Sequence, residues 1–311
     1  MIQATIIADS ICHTRLTTFL VTFPRYLLAE QNTHKMLSKS SASSRAVPIA
    51  KRIAQVRQGP AGPAWWGRNR AGMEATETLS ADQVSLSQAI WKEASEAACD
   101  YADDLSRREA HKQIGNRLLE PFVTHQSILT GTEWANFFNL RCSEHAAPEF
   151  DLLALHMLRA YVASEPAHLN PGEWHAPFGD RVPEGTSTED RLLVSAARCA
   201  RISYETHDGE FSAEKDLELA RRLLASGHMS PFEHQGQAAT NFGGFWDARR
   251  GIAEQLRDEK ALWDGESLWW GNFRWWRQLR KTLPNENRTD FDPARLLAEA
   301  EARWQKRGLP Q

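Results

Sequence analysis

Residues 33–45 combine side chains that can hold an anion. They read THKMLSKSSASSR and carry lysines at 35 and 39, an arginine at 45, a histidine and six hydroxyl groups. Charged and neutral donors in one short stretch suit a phosphate or pyrophosphate group. A solvated, flexible loop explains the same composition, and composition alone does not separate the two. We predict a loop over 38–44 whose backbone can wrap a ligand.

A second stretch offers a guanidinium and an imidazole. Residues 134–149 read WANFFNLRCSEHAAPE, and residues 117–121 upstream of them read RLLEP. On one continuous helix, Arg141 and His145 would lie one turn apart and face the same way. An amphipathic helix with surface charges is the alternative interpretation.

A third stretch carries the most specific sequence pattern of the three. Residues 200–204 read ARISY, a helical segment follows, and residues 227–234 read GHMSPFEH. Ser212 can cap the intervening helix and Gly227 can end it. The histidine and serine that follow this glycine stand just ahead of a proline turn, where they can contact a ligand.

Together the three stretches resemble the flavin-dependent thymidylate synthases. That family carries the motifs RHRxxSxNExSxR, RxxLP with NFLxLRxxxxAxxE, and ARVS with GHx[ST]PFEH. The positions that match the first two motifs are His34, Ser38, Ser43, Arg45, Arg117, Asn136, Arg141, Ala146 and Glu149, with Lys35 keeping a positive charge. The third motif matches over residues 200–203 and 227–234, and the resemblance spans about two-thirds of the chain.

The order of the motifs differs from that of the family. There the ARVS and GHx[ST]PFEH block comes first, whereas here it comes last, and we interpret this as a circular permutation. The fold implied is α+β, a mixed twisted sheet flanked by helices with a permuted block order. We predict a single domain over 1–311, with a nucleotide and flavin motif half (1–163), a connector (164–185) and a permuted flavin-binding half (186–311).

The resemblance implies an enzyme that methylates dUMP at C5, a step of dTMP biosynthesis. Methylenetetrahydrofolate would supply the carbon, FAD the hydride, and NADPH the electrons that reduce the flavin. A homotetramer with active sites shared between subunits is also implied, as is the absence of a cysteine nucleophile. The cysteines of this chain are consistent with that absence, because none lies in a Pro-Cys-His context.

The resemblance assigns roles to individual positions. Arg141 would bind the uracil and stabilise the negative charge as N3 ionises, an electrostatic contribution of about 3 kcal/mol. The residues implied in dUMP binding are Glu30, Ser43, Ser44, Arg45, Arg117 and Arg141. Those implied in FAD binding are Thr33, His34, Lys35, Ser41, Thr130, Asn136, His145, Ser203, His228 and Ser230. No metal ligand is implied.

Two departures from the family bear on the substrate. Thr33 replaces an arginine, and Ser40 with Ser41 replaces an Asn-Glu pair, so charges that hold flavin and nucleotide are lost. The product can therefore differ within the same flavin and folate chemistry. Hydroxymethylation of dUMP or dCMP is the alternative.

The elements that must position these residues mix strands and helices. Apolar and polar residues alternate around Leu16, Phe19, Val21 and Phe23, which predicts a strand that Pro24 ends. Residues 59–72 are predicted as a long loop. Helices are predicted over 26–31, 90–105, 134–140, 148–162, 212–227, 252–263 and 292–308.

Composition sets wider limits. The formal net charge of −3 argues against a protein that binds duplex nucleic acid. The four cysteines lie far apart, which argues against a zinc site or disulfide framework and favours a reducing cytoplasm. We expect neither a membrane-spanning helix nor a signal peptide, because no long apolar run or charged leader is present.

Residues 269–281 interleave tryptophans with basic residues. They read WWGNFRWWRQLRK, a pattern that single-strand nucleic-acid binders use for stacking and charge. A non-catalytic single-strand binder on the same scaffold is therefore a second hypothesis. A buried strand at an interface is the plainer interpretation of these aromatic residues.

Overall fold

A computed structural model describes residues 2–72, 74–179, 182–202, 212–239, 269–284, 286 and 292–306 of the 311. Two expectations lie outside these ranges: the role of Ser203 in FAD binding and the helix over 252–263.

The largest sheet of the described structure has five strands. They are β1 (Gln3–Ile11), β2 (Arg15–Pro24), β3 (Ser38–Ser41), β4 (Thr124–Gly131) and β5 (Ala167–His168), in the order β3-β4-β2-β1-β5. Every neighbouring pair is antiparallel except β1 and β5, so the sheet is mixed. The predicted strand that ends at Pro24 is confirmed as β2.

Helices flank this sheet, which confirms the α+β prediction. They are α1 (Leu28–Gln31), α2 (Ile49–Gln58), α3 (Ala81–Arg107), α4 (Lys112–Leu118), α5 (Trp134–Arg141), α6 (Pro148–Ala163), α7 (Thr188–Arg201), α8 (Ala213–Ala225) and α9 (Pro293–Lys306). The predictions over 26–31, 90–105, 134–140, 148–162, 212–227 and 292–308 correspond to α1, α3, α5, α6, α8 and α9. Asp292 accepts from the backbone N–H of Arg295 and so caps α9, as predicted.

Strand β2 buries both of its faces. Phe19, Val21 and Phe23 are wholly buried and pack with residues of α5 and α6, including Trp134 and Phe150. On the opposite face, Leu16 joins a separate cluster with Phe273 and Trp276. Burial against α5 and α6 explains why apolar residues recur at every second position from Phe19 to Phe23.

A second sheet packs through that Leu16 cluster. It contains β6 (Trp174–His175), β7 (Gly236–Ala238) and β10 (Trp276–Gln278), in the order β10-β7-β6. Two further short strands, β8 (Trp269–Trp270) and β9 (Phe273–Arg274), pair with each other. The segment predicted as a connector, 164–185, contributes β5 and β6, and the single-domain organisation stays a prediction.

The loop predicted over 38–44 is wrong for its first four residues. Ser38–Ser41 forms β3, which pairs with β4 at the edge of the sheet. The hydroxyl groups of this polar strand find partners in the sheet: Ser41 Oγ lies 2.7 Å from Ser127 Oγ of β4. Residues 42–44, by contrast, lie outside any helix or strand.

The placement of His145 one turn along a helix from Arg141 is also wrong. Helix α5 ends at Arg141, because Cys142 has φ −82° and ψ 69°, outside the helical region. His145 instead follows a turn in which the backbone N–H of Ala146 donates to the carbonyl of Ser143. Its imidazole Nδ1 lies 3.0 Å from Glu74 Oε1.

Two side-chain hydrogen bonds help to hold the long loop over 59–72. Glu149 Oε1 accepts from the backbone N–H of Ala64 at 2.7 Å, and Trp91 Nε1 donates to the carbonyl of Ala61 at 2.8 Å. Glu149 is buried, so the acidic position shared with the family motif anchors this loop.

Gly227 lies between helix α8 and the segment that carries His228 and Ser230, and its φ of +70° favours glycine. A Cβ at this position would meet nothing within 4 Å, so Gly227→Ala adds only backbone strain. We expect a loss of about 1–2 kcal/mol in the free energy of unfolding, measured by urea denaturation. Gly59→Ala is the matched control, because Gly59 is equally open and its φ of −179° suits any residue. Equal losses in both variants would contradict the argument.

No helix among the described residues is long and apolar enough to cross a membrane. Nor do three or more His, Cys, Asp or Glu side chains in the described ranges come close enough together to hold a metal ion.

Candidate active site

A cavity of about 490 Å³ brings the first and third sequence blocks together. This volume is within the usual range for a small-molecule site. The described residues that line it are Lys39, Ser40, Ser41, Ser43, Arg45, Ala46, His111, Gln113, Ala200, His228, Ser230 and Pro231. More than 150 residues separate the two blocks in sequence, so only tertiary packing brings them to one cavity.

Local structure explains how the third block reaches the cavity. Helix α8 ends before Gly227, and residues Ser230–Glu233 then form a short 3-10 helix. Phe232 of this turn is wholly buried in a cluster with residues of α7 and α8. The turn packs against β3, and His228 and Ser230 therefore face the same cavity as Ser41.

The lining of the cavity is cationic. Lys39 and Arg45 contribute positive charge, and no carboxylate is among the described residues that line it. Burial, and then the nearby ammonium of Lys35, lower the pKa of Lys39 to about 8. A half-buried ammonium with another cation nearby is stabilised by an anionic ligand, so the cavity suits a phosphorylated compound.

Arg141 lies in a second cluster with the first block. Its Nε donates to His34 Nε2 at 2.7 Å, and its Nη2 donates to Thr33 Oγ1 at 3.1 Å. The guanidinium also lies over the ring of Phe150, 4.9 Å from the centroid. These three contacts fix the orientation of the guanidinium plane.

His34 must be neutral to accept from Arg141. Burial, followed by the charges of Arg141 and Lys39, lowers the pKa of His34 to about 4. The imidazole stacks on Phe150, with ring centroids 5.9 Å apart and planes 12° apart. Lys39 thus both lines the cavity and acts on His34, so the Arg141 cluster is adjacent to the cavity.

The remaining predicted residues do not join these two groups. Ser44 Oγ donates to Glu120 at 2.6 Å, and Thr130 is wholly buried with its hydroxyl between Thr18 and His234. His145 lies against Glu74. Glu30 is half-buried on α1, and three further predicted residues are exposed: Lys35, Arg117 and Asn136.

Four polar residues of the cavity lining were not predicted as ligand-binding: Lys39, Ser40, His111 and Gln113. Lys39 lies within the basic stretch, so its charge and position were a usable signal. His111 and Gln113 begin α4, where His111 Nδ1 accepts from the backbone N–H of Gln113 at 3.3 Å. Sequence offered no signal for that pair, because only the packing of α4 brings them to the cavity.

No cysteine lines the cavity among the described residues. Burial raises the pKa of the Cys99 and Cys199 thiols, which keeps both protonated. The absence of a cysteine nucleophile thus stays a prediction that the cavity does not oppose.

Three buried histidines should make stability depend on pH. Burial is the main cause that lowers the pKa of His125, His175 and His234 to about 3, with Arg25 and Arg52 also acting on His125. The unfolded chain takes up protons below about pH 6.5, whereas the folded chain does so only near pH 3. The stabilising contribution is therefore complete above about pH 6.5 and is lost as the pH falls toward 3.

We expect the urea midpoint to fall between pH 7 and pH 5, and His125→Gln to reduce that dependence. His168→Gln is the matched control, because His168 is exposed and should leave the slope unchanged. A slope that is the same in both variants would show that His125 titrates normally in the folded protein.

The described residues define an α+β protein with a cationic cavity and an adjacent, oriented arginine. Residues 9–167, a little over half of the chain, match the family model described as Thy1, thymidylate synthase complementing protein. The chain belongs to this family. It is accordingly an enzyme of the methyltransferase type, with a thymidylate synthase-like function.

One similar solved structure is the crystal structure of a UMP/dUMP methylase, PolB, from Streptomyces cacaoi, bound with 5-Br UMP. The sequence identity is 16% and the TM-score is 0.43, and the similarity covers 52% of this chain and 89% of that chain. No curated protein matches the chain.

Proposed function

We propose that this chain reductively methylates dUMP at C5, with FAD bound and with methylenetetrahydrofolate and NADPH as co-substrates. The observation that carries the proposal is the shared cavity, where Ser41, Ser43 and Arg45 of the first block meet His228 and Ser230 of the third. The same five residues were assigned to nucleotide or flavin by their sequence motifs. Membership of the thymidylate synthase complementing family supports the reaction class.

The donors of the cavity fit a flavin dinucleotide. A pyrophosphate needs cationic and hydroxyl donors without competing carboxylates, which is the set that lines this cavity. Lys39, Ser41, His228 and Ser230 would hold FAD there. When bound, FAD supplies the hydride that completes the methyl group.

Arg141 would orient the pyrimidine and stabilise charge on it. The guanidinium is held by Thr33, His34 and Phe150, so little reorganisation is needed when negative charge develops on the base. His34 stays neutral and accepts from Nε, which leaves other guanidinium N–H groups for the base. Arg45, with Ser43, would hold the nucleotide phosphate.

Spectroscopy and product analysis test this proposal. The purified protein should show the visible absorption of bound flavin or take up added FAD, and it should convert dUMP in the presence of methylenetetrahydrofolate and NADPH. Mass analysis of the nucleotide separates a methyl from a hydroxymethyl product. A colourless protein that cannot take up FAD would refute the proposal.

We also propose a homotetramer of single-domain, circularly permuted subunits. Leu86 and Ile90 of α3 are each 67% exposed, and large exposed apolar side chains on a long helix suit a subunit interface. The close packing of the third block against β3 is what a permuted order requires. Light scattering on the purified chain measures the mass, and a monomer would refute the tetramer.

Part of the tryptophan-rich stretch packs in the protein interior. Phe273 and Trp276 of the tryptophan-rich stretch are buried, Trp276 at 1% exposure, and pack with Leu16 and Ala238. Buried rings cannot stack on bases. This packing favours the plainer interpretation, a buried strand, for Phe273 and Trp276.

A further inference from the structure

A buried chain of hydrogen bonds crosses the five-stranded sheet and ends at the cavity. Its six members, in order, are Ser10, His175, Thr18, Thr130, His234 and Ser40. The five successive separations are 2.8 or 2.9 Å, and all six residues are buried.

The chain follows the strand order of the sheet. One hydroxyl comes from each of four neighbouring strands: Ser10 from β1, Thr18 from β2, Thr130 from β4 and Ser40 from β3. Two imidazoles join them, with His175 between β1 and β2 and His234 between β4 and β3. The chain therefore reaches from the β1 side of the sheet to the cavity wall.

Proton counting restricts the chain to four complete arrangements, which differ in the hydroxyl that keeps its proton. Burial lowers the pKa of both histidines to about 3, so each is neutral and has one donor and one acceptor nitrogen. Each hydroxyl likewise has one proton to donate. With six protons and five links, one hydroxyl keeps its proton when no link is lost, and that hydroxyl is Ser10, Thr18, Thr130 or Ser40.

The four arrangements differ in where the spare proton lies. If every donor points toward Ser40, Ser10 donates to His175 Nδ1, His234 Nε2 donates to Ser40, and the Ser40 hydroxyl proton is free for the cavity. In the other three, Ser40 donates to His234 and the spare proton lies on Ser10, Thr18 or Thr130. Within the described residues none of these three hydroxyls has a hydrogen-bond partner outside the chain, and a buried hydroxyl proton without an acceptor is costly.

We propose that this chain of hydrogen bonds holds Ser40 as a hydrogen-bond donor to a phosphate-bearing ligand in the cavity, with His175 and His234 both in the Nε2–H tautomer. Ser40 lines the cavity beside Lys39 and Arg45, so an acceptor oxygen of an anion is the matching partner. Thr130 and His234 are positioning residues, since they act through Ser40. The identity of the ligand as FAD rests on the proposed function, whereas the direction of the chain does not.

The direction of the chain is tested on ligand-free protein. Nitrogen-15 NMR shifts of labelled histidine distinguish the two neutral tautomers from the imidazolium form. Signals of His175 and His234 are assigned by their loss in His175→Gln and His234→Gln. Both imidazoles should carry the proton on Nε2 near pH 7, and an Nδ1–H or doubly protonated form of either would overturn the proposal.

Ligand affinity tests the role of Ser40. We expect Ser40→Ala and Thr130→Val each to weaken FAD binding about fivefold, by quenching of flavin fluorescence, which is the loss of one hydrogen bond. The double variant should be little weaker than either single variant, because both changes remove the same donor. Thr130→Ser, which keeps the hydroxyl, should restore affinity and the Nε2–H signal of His234.

The outcomes separate this inference from the proposed function. A Thr130→Val protein that is less stable but binds FAD as tightly as the parent would reduce the chain to a structural role and overturn the proposal. If the parent protein binds no FAD, the proposed function fails, and inorganic pyrophosphate replaces FAD as the probe. Equal pyrophosphate affinity in the parent and Ser40→Ala would then overturn the inference as well.

Discussion

Arg141→Ala is expected to reduce kcat for dUMP methylation about 100-fold to 1,000-fold, with the fold intact. Removal of one oriented donor from a site of developing negative charge costs this much in enzymes with preorganised donors. The side chain is held by Thr33, His34 and the face of Phe150, so its loss removes an already oriented group. Single-turnover absorbance of the flavin and product formation with saturating dUMP measure the effect.

Two variants separate the shape of the guanidinium from its charge. Arg141→Lys keeps the charge but cannot donate to Thr33 and His34 together, so we expect a large loss of kcat here also. Arg159→Ala is the matched control, because Arg159 is exposed on α6 away from the cavity lining. Parent-like turnover in Arg141→Ala, or an equal loss in Arg159→Ala, would contradict the role proposed for Arg141.

The sequence was sufficient to predict elements whose residues repeat with a clear period. Strand β2 alternates apolar residues from Leu16 to Phe23, and α6 carries apolar residues at helical spacing. Local capping chemistry was equally readable: Ser212 accepts from the backbone N–H of Lys215, as its position before α8 predicts. These signals are local and do not depend on the rest of the fold.

Strand β3 shows where local patterns fail. Its sequence, SKSS, lacks the branched and aromatic residues of typical strands, and its serines suggest a loop. It is a strand because β4 provides a pairing partner and because Ser40 and Ser41 find partners in His234 and Ser127. Those partners are distant in sequence, so the formation of this strand depends on tertiary contacts.

The residues of the candidate site were likewise predictable only in part. Motif matching placed Ser41, Ser43, Arg45, His228 and Ser230 on one ligand, and the fold places them on one cavity. It gave no role to His234, although this residue closes the GHMSPFEH string. The role of His234 depends on Thr130 and Ser40, which no spacing along the chain connects to it.

Asp216→Ala is expected to lower the free energy of unfolding by about 3–5 kcal/mol. Asp216 is wholly buried on α8, with Oδ2 accepting from Arg198 Nε at 3.0 Å and Oδ1 accepting from Arg201 Nε. The loss of one member of a buried ion network leaves uncompensated charge in the interior. Urea denaturation of Asp216→Ala measures the loss, and Asp216→Asn tests charge at nearly constant volume.

Glu218→Ala is the control for that change. Glu218 is exposed on the same helix, and a surface substitution there should change stability by less than about 0.5 kcal/mol. Losses of similar size in the Asp216 and Glu218 variants would show that helix α8, rather than the buried network, is what the substitution perturbs.

The same network connects stability to the cavity. Ala200 lies on α7 between the two arginines that bind Asp216, and it lines the cavity with His228, which follows α8. The Asp216 network therefore fixes the two helices that carry the third block, and Arg201 of the ARIS motif acts through it. In the folded fraction of Asp216→Asn we expect FAD to bind more weakly, whereas Glu218→Ala should bind it as the parent does. Parent-like FAD affinity in Asp216→Asn would mean that the packing of Phe232, and not the ion network, holds His228 and Ser230 at the cavity.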